Sequence, residues 1–176
     1  MKLERMTKKN HPLYEQAMAL YRSSFPPHEQ RETPSQERIL QQEDYHFSLI
    51  YDGEIFVGLV LYWEREGDIY IEHFCILPEA RNRRYGERTL ALLGEKGKTL
   101  ILEIDPPVDE ISRRRQGFYE RCGFAANPYA HVHPPYHRGN QGHPLILMTF
   151  PEGITAAQYA SFADYLRGRV MEDVFV

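Results

Sequence analysis

The sequence predicts an α/β domain whose central sheet is mixed, mostly antiparallel and flanked by helices, and three observations predict it. Residues 45–76 form three apolar runs punctuated by Asp52-Gly53 and Gly67-Asp68, the mark of strands joined by tight turns. From there to residue 124 strand and helix signals alternate in a βαβα order. Helical segments precede the meander, and a capped helical segment follows the last strand.

Each element has its own local reason. In "HPLYEQAMALYRSSF", Leu13, Ala17, Leu20 and Tyr21 recur at helical spacing, with Pro12 acceptable in the first turn. Prolines in "FPPHEQRETP" interrupt it, and "TPSQERILQQE" offers Thr33 as cap and Pro34 at the start of a second, short helix. The break between them is expected to face a substrate, where Glu29 or Arg31 can read a charged group, or else to be a plain surface loop. The meander "YHFSLIYDGEIFVGLVLYWEREGDIYIEHFCI" is followed by the Arg-rich "PEARNRRYGERTLALL", loop then helix. "KTLILEID" reads as a buried strand, "SRRRQGFYERCGF" as a helix ending near Gly123, and "HPLILMTFP" as the last strand. Thr155 and Gln158 form a capping box before "AQYASFADYLRGRV". The expectation is one domain over residues 1–176, with 151–176 as a C-terminal helical extension.

Composition narrows the class. A 42% hydrophobic and 26% charged chain excludes wholesale disorder, and a net charge of −4 argues against a general nucleic-acid binder while leaving room for a small anionic ligand. Cys75 and Cys122 provide no disulfide framework, so a reducing, cytoplasmic compartment is expected. No apolar run reaches the roughly 18 residues that span a bilayer, and Met1 opens a polar segment rather than a signal peptide.

Three stretches carry chemistry. In "IYIEHFCI", strand alternation places Tyr70, Glu72 and Phe74 on one face and Ile71, His73 and Cys75 on the other, unless a bulge rotates His73. Four arginines within eight residues (Arg81, Arg83, Arg84, Arg88) oppose the dipole of the helix they begin, which an anion seated there would explain. "YAHVHPPYHRGNQGHP" holds His131, His133, His137 and His143 in a Pro- and Gly-containing loop without a zinc signature, so no metal is expected. That loop is either solvated or a wall of an acceptor site, with His133 and Tyr136 as its contacts. Glu103 either faces the same cleft or lies at a strand edge, and Arg113–Arg115 is either a solvated helix face or a contact for phosphates.

The order of elements, with "IEHFCILPEARNRRYG" after a meander and "FYERCGF" after the next strand, resembles the GNAT superfamily of acyl-CoA-dependent N-acyltransferases over roughly residues 1–150. The family pattern of Arg or Gln, two variable residues, Gly, one variable residue, then Gly or Ala falls on Arg81, Arg84 and Gly86. The outer positions match; Arg84 replaces the middle glycine, and Asn82 stands where many members carry another. The resemblance implies that Arg81, Asn82, Arg83, Arg84, Tyr85, Gly86 and Glu87 cradle the pyrophosphate of acetyl-CoA with backbone N–H groups. Gly86 would remove a Cβ at the closest approach, and Arg84 would either keep a standard backbone with its side chain outward or bring its guanidinium to a phosphate.

It further implies that Phe74, Cys75 and Ile76 border the cofactor and offer an oxyanion N–H. Glu72 would be the general base, with His73 a weaker alternative and a water chain a third, and Tyr119 the general acid toward the coenzyme A sulfur. Tyr70, Glu103, His133 and Tyr136 would line the acceptor side. Ser112 and Arg115 depart from the family's usual Asn and Ala. The implied activity is direct transfer, in a ternary complex and without an acyl-enzyme, to a primary amine of a small molecule or peptide. The alternatives are a non-catalytic acyl-CoA-binding module and a generic α/β protein binding some other phosphate. A homodimer stays open, since the apolar residues of "RVMEDVFV" either cap the core or meet a partner.

Overall fold

The computed structural model describes residues 1–175. Its strands are β1 (Lys2–Met6), β2 (Tyr45–Asp52), β3 (Ile55–Glu64), β4 (Asp68–Ile76), β5 (Thr99–Ile104), β6 (Ala125–Ala126), β7 (His131–His133) and β8 (His143–Phe150). Its helices are α1 (Tyr14–Ser24), α2 (Thr33–Ile39), α3 (Tyr85–Gly94), α4 (Glu110–Arg121) and α5 (Ala156–Tyr165). The sheet runs β1-β2-β3-β4-β5-β8-β6, with β7 also on β8, and every pairing but β4–β5 is antiparallel. This is the mixed, mostly antiparallel sheet expected.

Two apolar layers cover its faces. On one, Tyr14, Ala17, Met18 and Tyr21 of α1 pack with Trp63, Tyr70 and Phe162; on the other, Leu90 and Leu93 of α3 pack with Ile71, Leu100, Leu102 and Phe124. Each such fully buried side chain contributes about 1.5–3 kcal/mol. Val170, Met171 and Val174 belong to the first layer, so these apolar C-terminal residues cap the core. The capping box of Thr155 and Gln158 is present, with Thr155 Oγ1 accepting from the Gln158 N–H.

Several local expectations are corrected. One element had no expectation attached to it: the charged "KLERM" forms an edge strand in which only Met6 is buried. Thr33 is the first helical residue of α2, and Glu32, in extended backbone, takes the cap position. The stretch expected to be a loop contains β7, because pairing with Leu145, Pro144 and His143 of β8 orders it.

Two features of β4 position the site. Leu61 of β3 faces His73 while the next residue, Tyr62, faces Ile71, so Glu72 is the extra residue of a β-bulge. The assigned faces are therefore wrong beyond Glu72: the bulge turns His73 and Cys75 to the α1 side, where Tyr70 and Glu72 already point, and Phe74 and Ile76 to the α3 side. Secondly, β4 pairs with β5 only from Asp68 to Ile71, after which the two strands part.

Candidate active site

The parting of β4 and β5 opens a cavity of about 470 Å³, with Phe74, Cys75, Ile76, Arg81 and Tyr119 toward one side and Glu29, His73, Glu103, His133 and Tyr136 among its other walls. Leu77 N–H donates to the Val57 carbonyl at 2.9 Å, so by antiparallel alternation His73 and Cys75 turn their N–H groups to β3. The N–H groups of Phe74 and Ile76 then face the gap, where β5 no longer pairs. At this end a Cβ on Gly58 would stand 2.4 Å from the Cys75 carbonyl oxygen, so only glycine lets β3 hold β4 this closely.

After the turn Pro78–Ala80, both Asn82 (φ 62) and Arg84 (φ 59) adopt left-handed backbone before α3 begins. Asn82 tolerates this, whereas for Arg84 it costs about 1–2 kcal/mol. The Arg84 guanidinium turns outward onto Glu87, donating at 2.8 and 2.6 Å. Neither expected alternative therefore holds in full, because the side chain points away while the backbone is strained. Among the described residues no side chain caps α3, which leaves its first N–H groups directed out of the helix end. Strain beside open donors is the geometry of an anion-binding concavity.

The side chains of this segment do less than expected. Tyr85 donates its hydroxyl to Asp52 at 2.9 Å and packs in the core, and Glu87 holds Arg84. The space left by the missing Cβ of Gly86 belongs to Phe118, whose ring would be 3.1 Å away, so this glycine serves the packing of α3 on α4. Of Arg81–Glu87, Arg81 is the residue that lines the cavity.

The floor of the cavity is a buried polar network. Glu72 accepts from Arg31 Nε at 2.9 Å, from Trp63 Nε1 at 2.8 Å and from the Tyr136 hydroxyl at 3.0 Å. Burial alone would raise its carboxyl, but the Arg31 charge dominates, helped by His73, Trp63 and Tyr136, and holds it below the ordinary glutamate range. Glu72 is thus ionised, with both oxygens engaged by Arg31, Trp63 and Tyr136. Arg31, in turn, is internal and does not read an acceptor.

A second carboxylate repeats the pattern. Glu103 accepts from the Tyr70 hydroxyl at 2.6 Å and from His131 Nε2, with His133 Nε2 at 3.9 Å. Burial pushes Glu103 up, yet His133 and His131 pull it below its usual value. His133 donates from Nδ1 to the Pro134 carbonyl at 2.6 Å, and its Nε2 lies 3.3 Å from the Tyr136 hydroxyl. His131 and His133 are both buried, so this part of the histidine-rich stretch is a wall and not solvated.

Tyr119 packs against Phe118 and Phe124, and burial pushes its phenol up to about 12. The Cys75 thiol is likewise lifted, to about 11, which makes it inert at neutral pH. Ser112 is committed to capping α4, donating its N–H to Asp109 at 2.7 Å, and Arg115 pairs with Asp105 at 2.8 Å. At the cavity mouth His28, Glu29 and His143 bring possible ligand atoms within 4.8 Å of one another, the one such grouping among the described residues.

Residues 10–124 match the acetyltransferase (GNAT) family. Over 97% of this chain and 98% of the other, the fold superposes at a TM-score of 0.88 on a chain from Bacteroides thetaiotaomicron assigned to the GNAT acetyltransferases, with 31% identity. An aminoglycoside 6'-N-acetyltransferase complexed with coenzyme A (TM-score 0.58, 16% identity, 85% and 96% of the two chains) shares the fold. So does a GNAT-family acetyltransferase from Elizabethkingia anophelis with acetyl-CoA bound (0.51, 16% identity, 84% and 95%). No curated protein matches the chain. With a family match over most of its length laid on the splayed strands and open helix end described above, the chain belongs to the GNAT acetyltransferase family.

Proposed function

We propose that the protein is an acetyl-CoA-dependent N-acetyltransferase, acting by direct transfer to a primary amine of a small molecule or peptide. The observation that carries this reading is the parting of β4 from β5, which leaves the Phe74 and Ile76 N–H groups facing a cavity beside the uncapped start of α3. Structural neighbours of the same fold hold coenzyme A or acetyl-CoA, and the residues here fit that cosubstrate. Arg81 and the N–H groups from Asn82 to Glu87 would hold the pyrophosphate, and Phe74, Cys75 and Ile76 the pantetheine arm. When bound, acetyl-CoA supplies an activated acyl carbon.

The protein's own groups then divide the work. The N–H of Phe74 or Ile76 donates to the acyl oxygen as charge gathers there, a contribution of about 3–4 kcal/mol for one such donor. Tyr119, whose phenol lines the cavity, would donate its proton to the departing sulfur. Glu72 orients Tyr136, and with Glu103 and His133 forms the acceptor wall, while Tyr70, expected there, lies behind it with its hydroxyl on Glu103. A cytoplasmic setting suits two free thiols, and among the described residues no helix is long and apolar enough to cross a membrane.

The competing reading is a non-catalytic acyl-CoA-binding module. A protonated phenol lining the cavity favours catalysis over it. The test is a thiol-release assay with acetyl-CoA and a panel of primary amines, each product weighed by mass spectrometry. Release that depends on amine, with an added acetyl group on the amine, is expected; cofactor binding without transfer to any amine would favour the module.

A further inference from the structure

We propose that His28, Glu29 and His143 bind a divalent ion of the zinc type at the mouth of the cavity. Two imidazole nitrogens and one carboxylate oxygen from these residues all lie within 4.8 Å of one another. Three atoms so spaced leave a point within about 2.8 Å of each, so shifts of less than about 1 Å bring them to the zinc–nitrogen and zinc–oxygen bond lengths of about 2.0–2.2 Å. His28 Nε2 stands 3.6 Å from Glu29 Oε1, and the two imidazole rings are 5.9 Å apart. Among the described residues no hydrogen bond commits any of the three side chains, so their ligand atoms are available. The histidine-rich stretch shows no zinc signature because it contributes His143 alone; the other two ligands come from the turn Pro27–Glu29, distant in sequence.

The backbone holds the three ligands in place. The Glu29 carbonyl oxygen accepts from His73 Nε2 at 2.8 Å and the Pro27 carbonyl oxygen from His137 Nε2 at 2.8 Å, which ties the turn down at both ends. On the other side, His143 pairs with His133 in the β7–β8 ladder. Asp105 stands beside His143, with Oδ1 3.3 Å from its Nε2 and Oδ2 accepting from Arg115 at 2.8 Å. A carboxylate next to a ligating histidine is the usual support that fixes its ring, and here it also neutralises the nearest arginine. The donor set selects the ion: magnesium and calcium take oxygen ligands, whereas two imidazoles with one carboxylate suit zinc. Three protein ligands leave one position of a tetrahedral zinc for water or for a donor atom of the acceptor. Bound zinc joins the Pro27–Glu29 turn to the start of β8 where the cavity opens.

The test is calorimetric titration of the chelator-treated protein with zinc chloride, in the absence of acetyl-CoA and amine, so its outcome is independent of the transferase reading. One zinc per chain with a Kd of about 10 μM or tighter is expected, and magnesium chloride should give no binding at the same concentrations. His28→Ala and His143→Ala should each weaken zinc at least about 10-fold, the loss typical of a disturbed metal shell. Both side chains reach solvent, so circular dichroism should show the variants folded. If either unfolds, Glu29→Gln takes its place under the same criterion. Absence of zinc binding up to about 1 mM overturns the site. So does binding that the variants weaken less than about 10-fold, which would put the ion on other histidines or on the thiols.

Discussion

Arg31 and Glu72 meet at 2.9 Å with neither side chain exposed to solvent. They come from 41 residues apart and fix the floor of the cleft, because Glu72 also holds Tyr136 and Trp63. Replacing Arg31 by Met should strand a buried carboxylate and cost about 3–5 kcal/mol in urea denaturation. The double variant Arg31→Met, Glu72→Met should recover much of that loss. A single variant losing under about 1 kcal/mol would contradict the burial of this charge.

Arg84 stores strain at the start of α3. Its ion pair with Glu87 is exposed and worth little, so Arg84→Gly should stabilise the fold by up to about 1 kcal/mol while acetyl-CoA affinity is retained. Thermal unfolding with and without cofactor checks both; a lower midpoint or weaker binding would mean that the guanidinium, not the backbone, matters.

Stability should fall on the acid side. Burial, aided by Arg5, lowers His46 to about 4, so its contribution is complete above about pH 6.5 and is lost as pH falls toward 4. Glu72 and Glu103, also lowered, lose theirs at still lower pH. The unfolding midpoint should therefore be flat above pH 7 and decline below 6.5, and His46→Gln should make that decline shallower, the remainder belonging to His73, which burial also lowers. An unchanged slope in that variant would exclude His46 as the group responsible.

Much of the fold was readable in local sequence. The meander was legible because Gly53 and Gly67 mark its turns, and the α5 cap because Thr155 and Gln158 are three residues apart. What escaped reading was set by pairing at a distance. Nothing in "IYIEHFCI" marks Glu72 as the extra residue; its register against Leu61 and Tyr62 does. Arg84 defies its own backbone preference because the chain must turn between Ala80 and α3. The buried state of His131 depends on Tyr159 and Phe162, delivered by α5. The charged "KLERM" carries no apolar alternation, and it becomes a strand because β2 offers an open edge.

Tyr119 tests the proposed chemistry most economically. Its hydroxyl has no hydrogen-bond partner among the described residues, so Tyr119→Phe should leave the fold intact. The expected result is a fall in kcat of about 100-fold with unchanged acetyl-CoA affinity. An unchanged kcat would remove Tyr119 from the mechanism.

The proposed function requires acetyl-CoA to enter the gap between β4 and β5 beside the open end of α3. Isothermal titration of the unmodified protein with acetyl-CoA tests it directly. One site per chain with micromolar affinity is the predicted result; no binding up to millimolar cofactor would contradict it.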